Sequence, residues 1–395
     1  MIEMSMIQLH TATEKILELK GEYYFRRDSE QVSLNNSVGR ELSETIFANS
    51  ISPEFDIAAM DGFALRFDDE LPLKLAGSVY AGDRRGEIKR GEAVAIATGA
   101  LLPKGADAVL KIEDAGVKEK LLCGKKLKKW ENVFRAGSDY RTGDMIFKKN
   151  HRIMPQSAAL LYSLGIENVP VYKKIRAGII STGTEIHNGM IKNTNAVLIQ
   201  GFMKELGCDS RFIGTVPDDY NKTKKMLLQA CKNYEVVFTT GGVSVGERDY
   251  VADIIAETGE IIFHRVSIRP GKPIAVGIVN DTPVFSLPGK PTGAFTALEI
   301  VVRNYFSDIP RATRELVINE DVILQEKGFY YILFVKITHN NANTMGYKNS
   351  GMPLFENEYD TALISASPRS TIVDGYVITD RDIKKGELVN VHLFS

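Results

Sequence analysis

Cysteine is scarce. The 395-residue chain has three, Cys123, Cys208 and Cys231, an odd number at wide spacings that supplies neither a disulfide framework nor the paired pattern of a structural zinc site. Such usage fits a reducing compartment, the cytoplasm. No sign of charge dominates either. With 49 Lys and Arg against 50 Asp and Glu, no global field draws the chain to nucleic acid or to an anionic membrane, so any anion site has to be local. No uninterrupted apolar run approaches the length of a membrane span, and residues 1–20 carry acids and polar groups rather than the cationic start and apolar core of a signal peptide. The expectation is a cytoplasmic protein with neither nucleic acid nor membrane as partner. His151, His187, His264 and His339 stand isolated, which speaks against a protein-built zinc centre, and nothing reads as a Ser-His-Asp nucleophile system.

What is present is organised by periodicity. The length exceeds what one core usually supports and predicts two to four domains. Apolar residues recur at helical spacing over 7–19 and again over 33–48. Short β-like runs at 93–97 and 108–112, divided by glycine, proline and charged turns, predict a small β subdomain, and 155–164 reads as a helix with Pro155 at a permitted early position. From 169 onward strands and helices alternate: strands at 177–181, 210–216 and 236–240, helices at 194–206, 220–233 and 250–257. That alternation predicts a parallel sheet covered on both faces. A further helix is expected at 294–305, a linker at 306–314, and strands at 316–323, 330–337, 371–378 and 388–393, with 339–351 as a polar loop. The fold expected is multidomain α/β: an N-terminal α+β region (1–172) carrying a β subdomain at about 50–140, a central three-layer α/β domain (173–307) and a C-terminal β domain (315–395).

The chain is organised around residues 236–250, Val-Val-Phe-Thr-Thr-Gly-Gly-Val-Ser-Val-Gly-Glu-Arg-Asp-Tyr. A buried strand that ends in glycines ahead of a helix lets backbone N–H groups face an anion near the positive end of that helix. Ser244 adds a hydroxyl donor, and Glu247 and Asp249 set carboxylates beside it, which suits a hydrated cation bridging to phosphate. The glycines alone fit equally a tight strand-to-helix turn with a capping acid. A second Thr-Gly turn, at 182–183, is followed by Glu185, a general base, a metal-water ligand or a cap. Ligands of open α/β sheets sit outside the carboxyl ends of the strands, so both turns are expected to line one crevice. Arg269 and Lys272, separated by Pro270 and Gly271, are cations presented rigidly to an oxyanion, or else a solvated basic turn. Lys290, in a second Pro-Gly-Lys-Pro at 288–291, is a weaker anion candidate. Asp61 and Asp139 sit at turns, where acids usually bond their own backbone, and the stretch around Thr98 reads by itself as hairpin structure.

Seven stretches in order resemble the molybdopterin molybdenumtransferase (MoeA-like) family of molybdenum cofactor synthesis, whose fold the gephyrin E domain shares. They are 55–66 with Ala-Met-Asp-Gly-Phe-Ala, 98–109 with Thr-Gly and Pro-Lys-Gly-Ala-Asp-Ala-Val, 136–144, 181–186, 240–250, 269–273 and 287–291. Residues 174–306 also look like the MogA-like molybdopterin-binding domain that occurs alone in adenylyltransferases of the same pathway. The resemblance implies a β-barrel-like C-terminal domain, insertion of molybdate or tungstate into adenylylated molybdopterin with Mg²⁺ and release of AMP, and a homodimer in transient contact with the adenylyltransferase. It assigns Asp61, Thr98, Asp139, Glu185 and Asp249 to catalysis, with Glu185 and Asp249 as metal ligands. Gly241, Gly242, Ser244, Pro288 and Gly289 would hold the molybdopterin phosphate, and Arg269, Lys272 and Ser350 the oxyanion. Other readings are ATP-dependent adenylyl transfer to molybdopterin and a non-catalytic scaffold that binds molybdopterin or oxyanion. The chain departs from the family pattern at Ile57-Ala58 ahead of Asp61, at Thr184 in place of an Asp, at Lys290-Pro-Thr-Gly, and in the absence of a cation from 330–335.

Overall fold

The computed structural model describes residues 6–241, 250–345 and 373–394. They form two compact units, one of Met1–Asp28 with Tyr172–Ser395 and one of Ser29–Val171. Among the described residues no helix is long and apolar enough to cross a membrane.

The first unit is built on a six-stranded sheet. Its strands run Asp209–Val216, Arg176–Thr182, Val236–Thr240, Thr282–Leu287, Ala275–Val279 and Gly259–His264. The first four are mutually parallel, as the alternation predicts. Ala275–Val279 is the exception: it runs antiparallel to both its neighbours, Gly259–His264 and Thr282–Leu287, and is tied to the latter through the tight Asn280-Asp281 turn, where both residues have positive φ. The sheet is therefore mixed, because a turn that short can only reverse the chain, whereas a parallel partner needs a crossover.

Side-chain alternation sorts the core into two layers. Ile179, Phe238 and Phe285 face the helices Leu9–Tyr23 and Thr194–Glu205 and the aromatic pair Tyr305 and Phe306. Ile180, Val237 and Val284 face the helices Tyr220–Cys231 and Tyr250–Thr258. Each such side chain taken from water contributes roughly 1.5–3 kcal/mol, which is why these strands read as unbroken apolar runs.

The helix expected over 294–305 is continuous in space but not in geometry. Pro291–Ala297 is α-helical, Leu298–Val302 widens to a π-helix, and Arg303–Phe306 returns to α. Within the wide turn Glu299 is buried and takes hydrogen bonds from Arg303 (3.0 Å) and Arg311 (2.7 Å). Beyond it the C-terminal strands Tyr330–Thr338, Asn341–Thr344, Thr313–Ile318, Leu388–Leu393 and Gly375–Thr379 pair in that order and close back on the first, a five-stranded barrel. Leu316, Leu333, Val335, Val377 and Val391 fill it. Residues of opposite parity, Ile332, Phe334 and Tyr376, pack outside it against Ile300. The polar stretch read as a loop from 339 contains the barrel strand Asn341–Thr344, whose Asn and Thr side chains masked its pairing.

The second unit carries the β subdomain, a sheet of order Ala108–Lys111, Gly62–Leu65, Glu92–Ile96, Leu73–Val79, Leu121–Gly124, Ala115–Lys118. One face buries Ala64, Val94, Ile96 and Val109, the other Phe63, Leu65, Leu110 and Leu122. The helix expected over 33–48 does not form. Ser29–Ser33 is a strand, Leu34–Ser37 a single turn, and Gly39, at φ +83°, ends it. Leu34 and Leu42 instead bury against Ile153, Leu161, Val169 and Val171, and the backbone of Leu42 bridges to Val171.

Candidate active site

Parallel register sets the site. Ser181 lies opposite Thr240 and Thr240 opposite Leu287, so three loops leave the sheet at one level: Thr182-Gly183, Thr240-Gly241 and Leu287-Pro288-Gly289. Gly241 has φ +84°, and a Cβ there would lie 2.4 Å from the Thr182 carbonyl oxygen. A Cβ on Gly289 would lie 3.6 Å from the Gly241 Cα. The loops thus pack against one another, and at Gly241 both the φ and the closeness require glycine. Gly183, at φ +136°, starts a four-residue helix, Thr184–His187, and the Glu185 carboxylate folds back over it, with Oε1 3.0 Å from where a Cβ would stand. Both Thr-Gly turns thus adjoin at one end of the sheet, outside the carboxyl ends of its parallel strands.

Beneath the loops the strand ends carry buried hydroxyls rather than more apolar residues. Thr240 Oγ1 donates to Ser181 Oγ (3.1 Å), Asn193 Nδ2 donates to the same oxygen (2.9 Å), Thr182 Oγ1 donates to the Thr240 carbonyl (3.2 Å), and Thr239 Oγ1 donates to Ser286 Oγ (2.8 Å). A fully bonded polar ladder of this kind fixes the strand tips relative to one another. Asn195 Nδ2 donates to the carbonyls of Pro288 (3.2 Å) and Gly289 (2.8 Å). Thr184 donates through N (3.1 Å) and Oγ1 (3.0 Å) to Asp218 Oδ2, and the Asp218 N–H donates back to Thr184 Oγ1 (3.1 Å). The threonine that replaces an aspartate ahead of Glu185 therefore has a carboxylate partner of its own. Asp218, Asn193 and Asn195 went unread in the sequence; the only local cue is the Pro-Asp-Asp run, in which Asp219 caps the helix Tyr220–Cys231.

The first Pro-Gly-Lys-Pro loop, at 270–273, packs on the helix that follows the second. A Cβ on Gly293 would stand 3.6 Å from the Gly271 nitrogen, and Gly271 itself has φ +114°. Arg269 and Lys272 both lie over the Phe329 ring, at 4.5 and 5.2 Å from its centre. Arg269 is also paired with Glu326, which offsets part of its charge, whereas Lys272 has no ion pair among the described residues. Lys290 is exposed, at the start of Pro291–Ala297.

In the other unit Asp61 does not bond its own turn, as acids at turns usually do. Its Oδ1 accepts from Thr98 N (2.7 Å) and Thr98 Oγ1 (2.8 Å), and these bonds hold its carboxyl below the ordinary aspartate range. Gly62 is required beside it, because a Cβ would fall 2.0 Å from the Leu110 carbonyl oxygen of the neighbouring strand. Asp139 Oδ2 accepts from Ser52 Oγ (3.4 Å), and its N–H donates to the Ser52 carbonyl (2.9 Å). Gly242, Ser244, Asp249 and Ser350 lie outside the described residues, as does Glu247. Among the described residues no three His, Cys, Asp or Glu side chains converge as a metal-binding group.

Two family models match the chain: "MoeA N-terminal region (domain I and II)" over residues 7–165 and "Probable molybdopterin binding domain" over 178–308. A Methanocaldococcus jannaschii protein named for molybdopterin biosynthesis is 32% identical over 98% of both chains. The molybdopterin molybdenumtransferase of Haemophilus influenzae is 32% identical over 75% of this chain and 76% of its own, and that of Bacillus subtilis 33% identical over 70% and 69%. A crystal structure of the molybdopterin biosynthesis moeA protein of Pyrococcus horikoshii superposes with a TM-score of 0.72 at 30% identity, covering 99% of this chain and all of that one.

Proposed function

Because this chain belongs to the molybdopterin molybdenumtransferase (MoeA) family, we propose that it inserts molybdate or tungstate into adenylylated molybdopterin and releases AMP. The observation that carries this reading is the three-loop cradle at the carboxyl ends of the parallel strands, with Glu185 folded over Gly183 at its edge. In the reaction the dithiol of molybdopterin takes the metal, its two protons leave with one oxyanion oxygen as water, and water cleaves the bond to the adenylyl phosphorus.

The Gly242 and Gly289 N–H groups, with the Ser244 hydroxyl, bind the molybdopterin phosphate; Gly241, whose own N–H is given to the Leu287 carbonyl (3.3 Å), and Pro288, which has no N–H, shape the loops that present them. Lys272 and Arg269 draw the incoming oxyanion, Lys272 carrying more of that role because Glu326 already holds Arg269, and Ser350 adds a hydroxyl. Glu185 orients the attacking water and accepts its proton. The donor set fits Mg²⁺. A hard cation that keeps most of its waters needs one or two carboxylates plus ligand phosphates rather than an all-protein cage, and Glu185 with Asp249 supplies that. Bound there, Mg²⁺ would neutralise charge on the phosphates. Asp61, Thr98 and Asp139 serve the same reaction in a homodimer, which receives its substrate in transient contact with the adenylyltransferase. The test is reconstitution. Purified protein given adenylylated molybdopterin, Mg²⁺ and either oxyanion should activate an apo-molybdoenzyme without ATP; a requirement for ATP, or binding with no activation, contradicts the proposal.

A further inference from the structure

Asn195 is 3% exposed and stands one residue inside the helix Thr194–Glu205. Its Nδ2 spans two consecutive carbonyls, those of Pro288 and Gly289, more than 90 residues along the chain. Both accept, which fixes the orientation of the amide and leaves Oδ1 buried with no hydrogen-bond partner among the described residues. An orphaned buried acceptor is costly to keep, so the residue is not explained by stability, and its amide is committed to this one turn.

The consequence follows from peptide geometry. In a planar trans peptide the C=O and the following N–H point in opposite directions. Capturing the Pro288 and Gly289 carbonyls therefore turns the N–H groups of Gly289 and Lys290 away from Asn195, side by side, and neither has a bond to a described residue. The clamped turn lies beside Gly241: a Cβ on Gly289 would stand at van der Waals distance, 3.6 Å, from the Gly241 Cα.

We propose that Asn195 is a positioning residue for the reaction: it locks the Pro288-Gly289 turn in the one orientation that aims two adjacent N–H donors at the substrate and sets the width of the cradle. This rests on the molybdopterin reading above.

The experiment compares Asn195→Asp, which keeps the shape but replaces the donor with a carboxylate facing two carbonyls, with Asn195→Ala and with Phe202→Leu. Phe202 is buried on the same helix and is expected to lower Tm without touching the turn. Backbone order parameters of the amides at 289–290 from 15N relaxation are measured without ligand, then binding of molybdopterin, then turnover. Both Asn195 variants should lower the order parameters at 289–290 and bind molybdopterin about tenfold or more weakly, with kcat nearly unchanged and KM raised, as expected when ground state and transition state lose the same contact. Phe202→Leu should bind like the parent. Unchanged order parameters overturn the clamp. Lowered order parameters with parental affinity and KM overturn the positioning role, as does equal weakening by Phe202→Leu. A parent chain that binds no molybdopterin overturns the functional reading, and the role of Asn195 with it, whatever the relaxation shows.

Discussion

Glu185 is the acid on which the proposed chemistry turns. It sits on a single helical turn, exposed, with its carboxylate lying over a glycine, so replacing it costs the fold little. Glu185→Gln should leave Tm within about 1 °C, since an exposed substitution is near neutral, and slow insertion by about 100-fold or more, the usual contribution of a positioned general base. Normal rates in that variant would remove it from the mechanism. Asp61 makes a separate prediction through pH. The two Thr98 bonds lower its folded pKa, so its contribution is fully present above the unfolded value, about 3.9, and is lost as pH falls through the folded value. The stability gap between parent and Asp61→Asn should therefore stay constant from neutral pH to about pH 5 and shrink below about pH 4 in urea titrations. A gap that widens on acidification contradicts the bond.

At the scale of elements, the glycine turns decide the site. Gly241→Ala puts a methyl 2.4 Å from the Thr182 carbonyl oxygen at φ +84°, and it should abolish molybdopterin binding and cost about 1–3 kcal/mol, the range for a strained positive-φ residue. Ligand affinity equal to the parent's would mean the loops are not packed as described. How much of this was legible depends on where the partners lie. The strands at 177–181 and 236–240 were readable because both their faces are buried, leaving unbroken apolar runs. The two Thr-Gly turns were readable because strand, glycine and helix are contiguous. The 33–48 segment misled because Leu34 and Leu42 do lie at a helix-compatible distance, yet their burial is set by Ile153 and Val171, far along the chain. The clamp by Asn195 and the lock between Thr184 and Asp218 were not readable, since each joins side chains to loops 34 or more residues away. Asp61 misled for the same reason, its partner being Thr98 rather than its own turn.

At the scale of the whole molecule, the three thiols are distributed so that only one is reachable. Cys123 is exposed, Cys208 and Cys231 are buried, and burial pushes the Cys231 thiol up to about 12. A thiol reagent should modify one cysteine in the native protein and all three after denaturation; two or more reacting quickly in the native state would contradict the packing of the α/β layers. The proposed homodimer should sediment at twice the chain mass of 43.8 kDa. Composition told the scale of the molecule and the absence of a dominant charge, while the closure of the C-terminal strands into a barrel was only implied by resemblance, because β pairing is non-local and the strand Asn341–Thr344 hides in a polar run. The most direct measurement is the stoichiometry of AMP released to metal incorporated, using adenylylated molybdopterin, Mg²⁺ and molybdate or tungstate with the parent and with Glu185→Gln. The account predicts one AMP for each metal atom inserted by the parent and near silence from the variant. AMP release that proceeds without metal incorporation, or insertion untouched by the loss of Glu185, would contradict it.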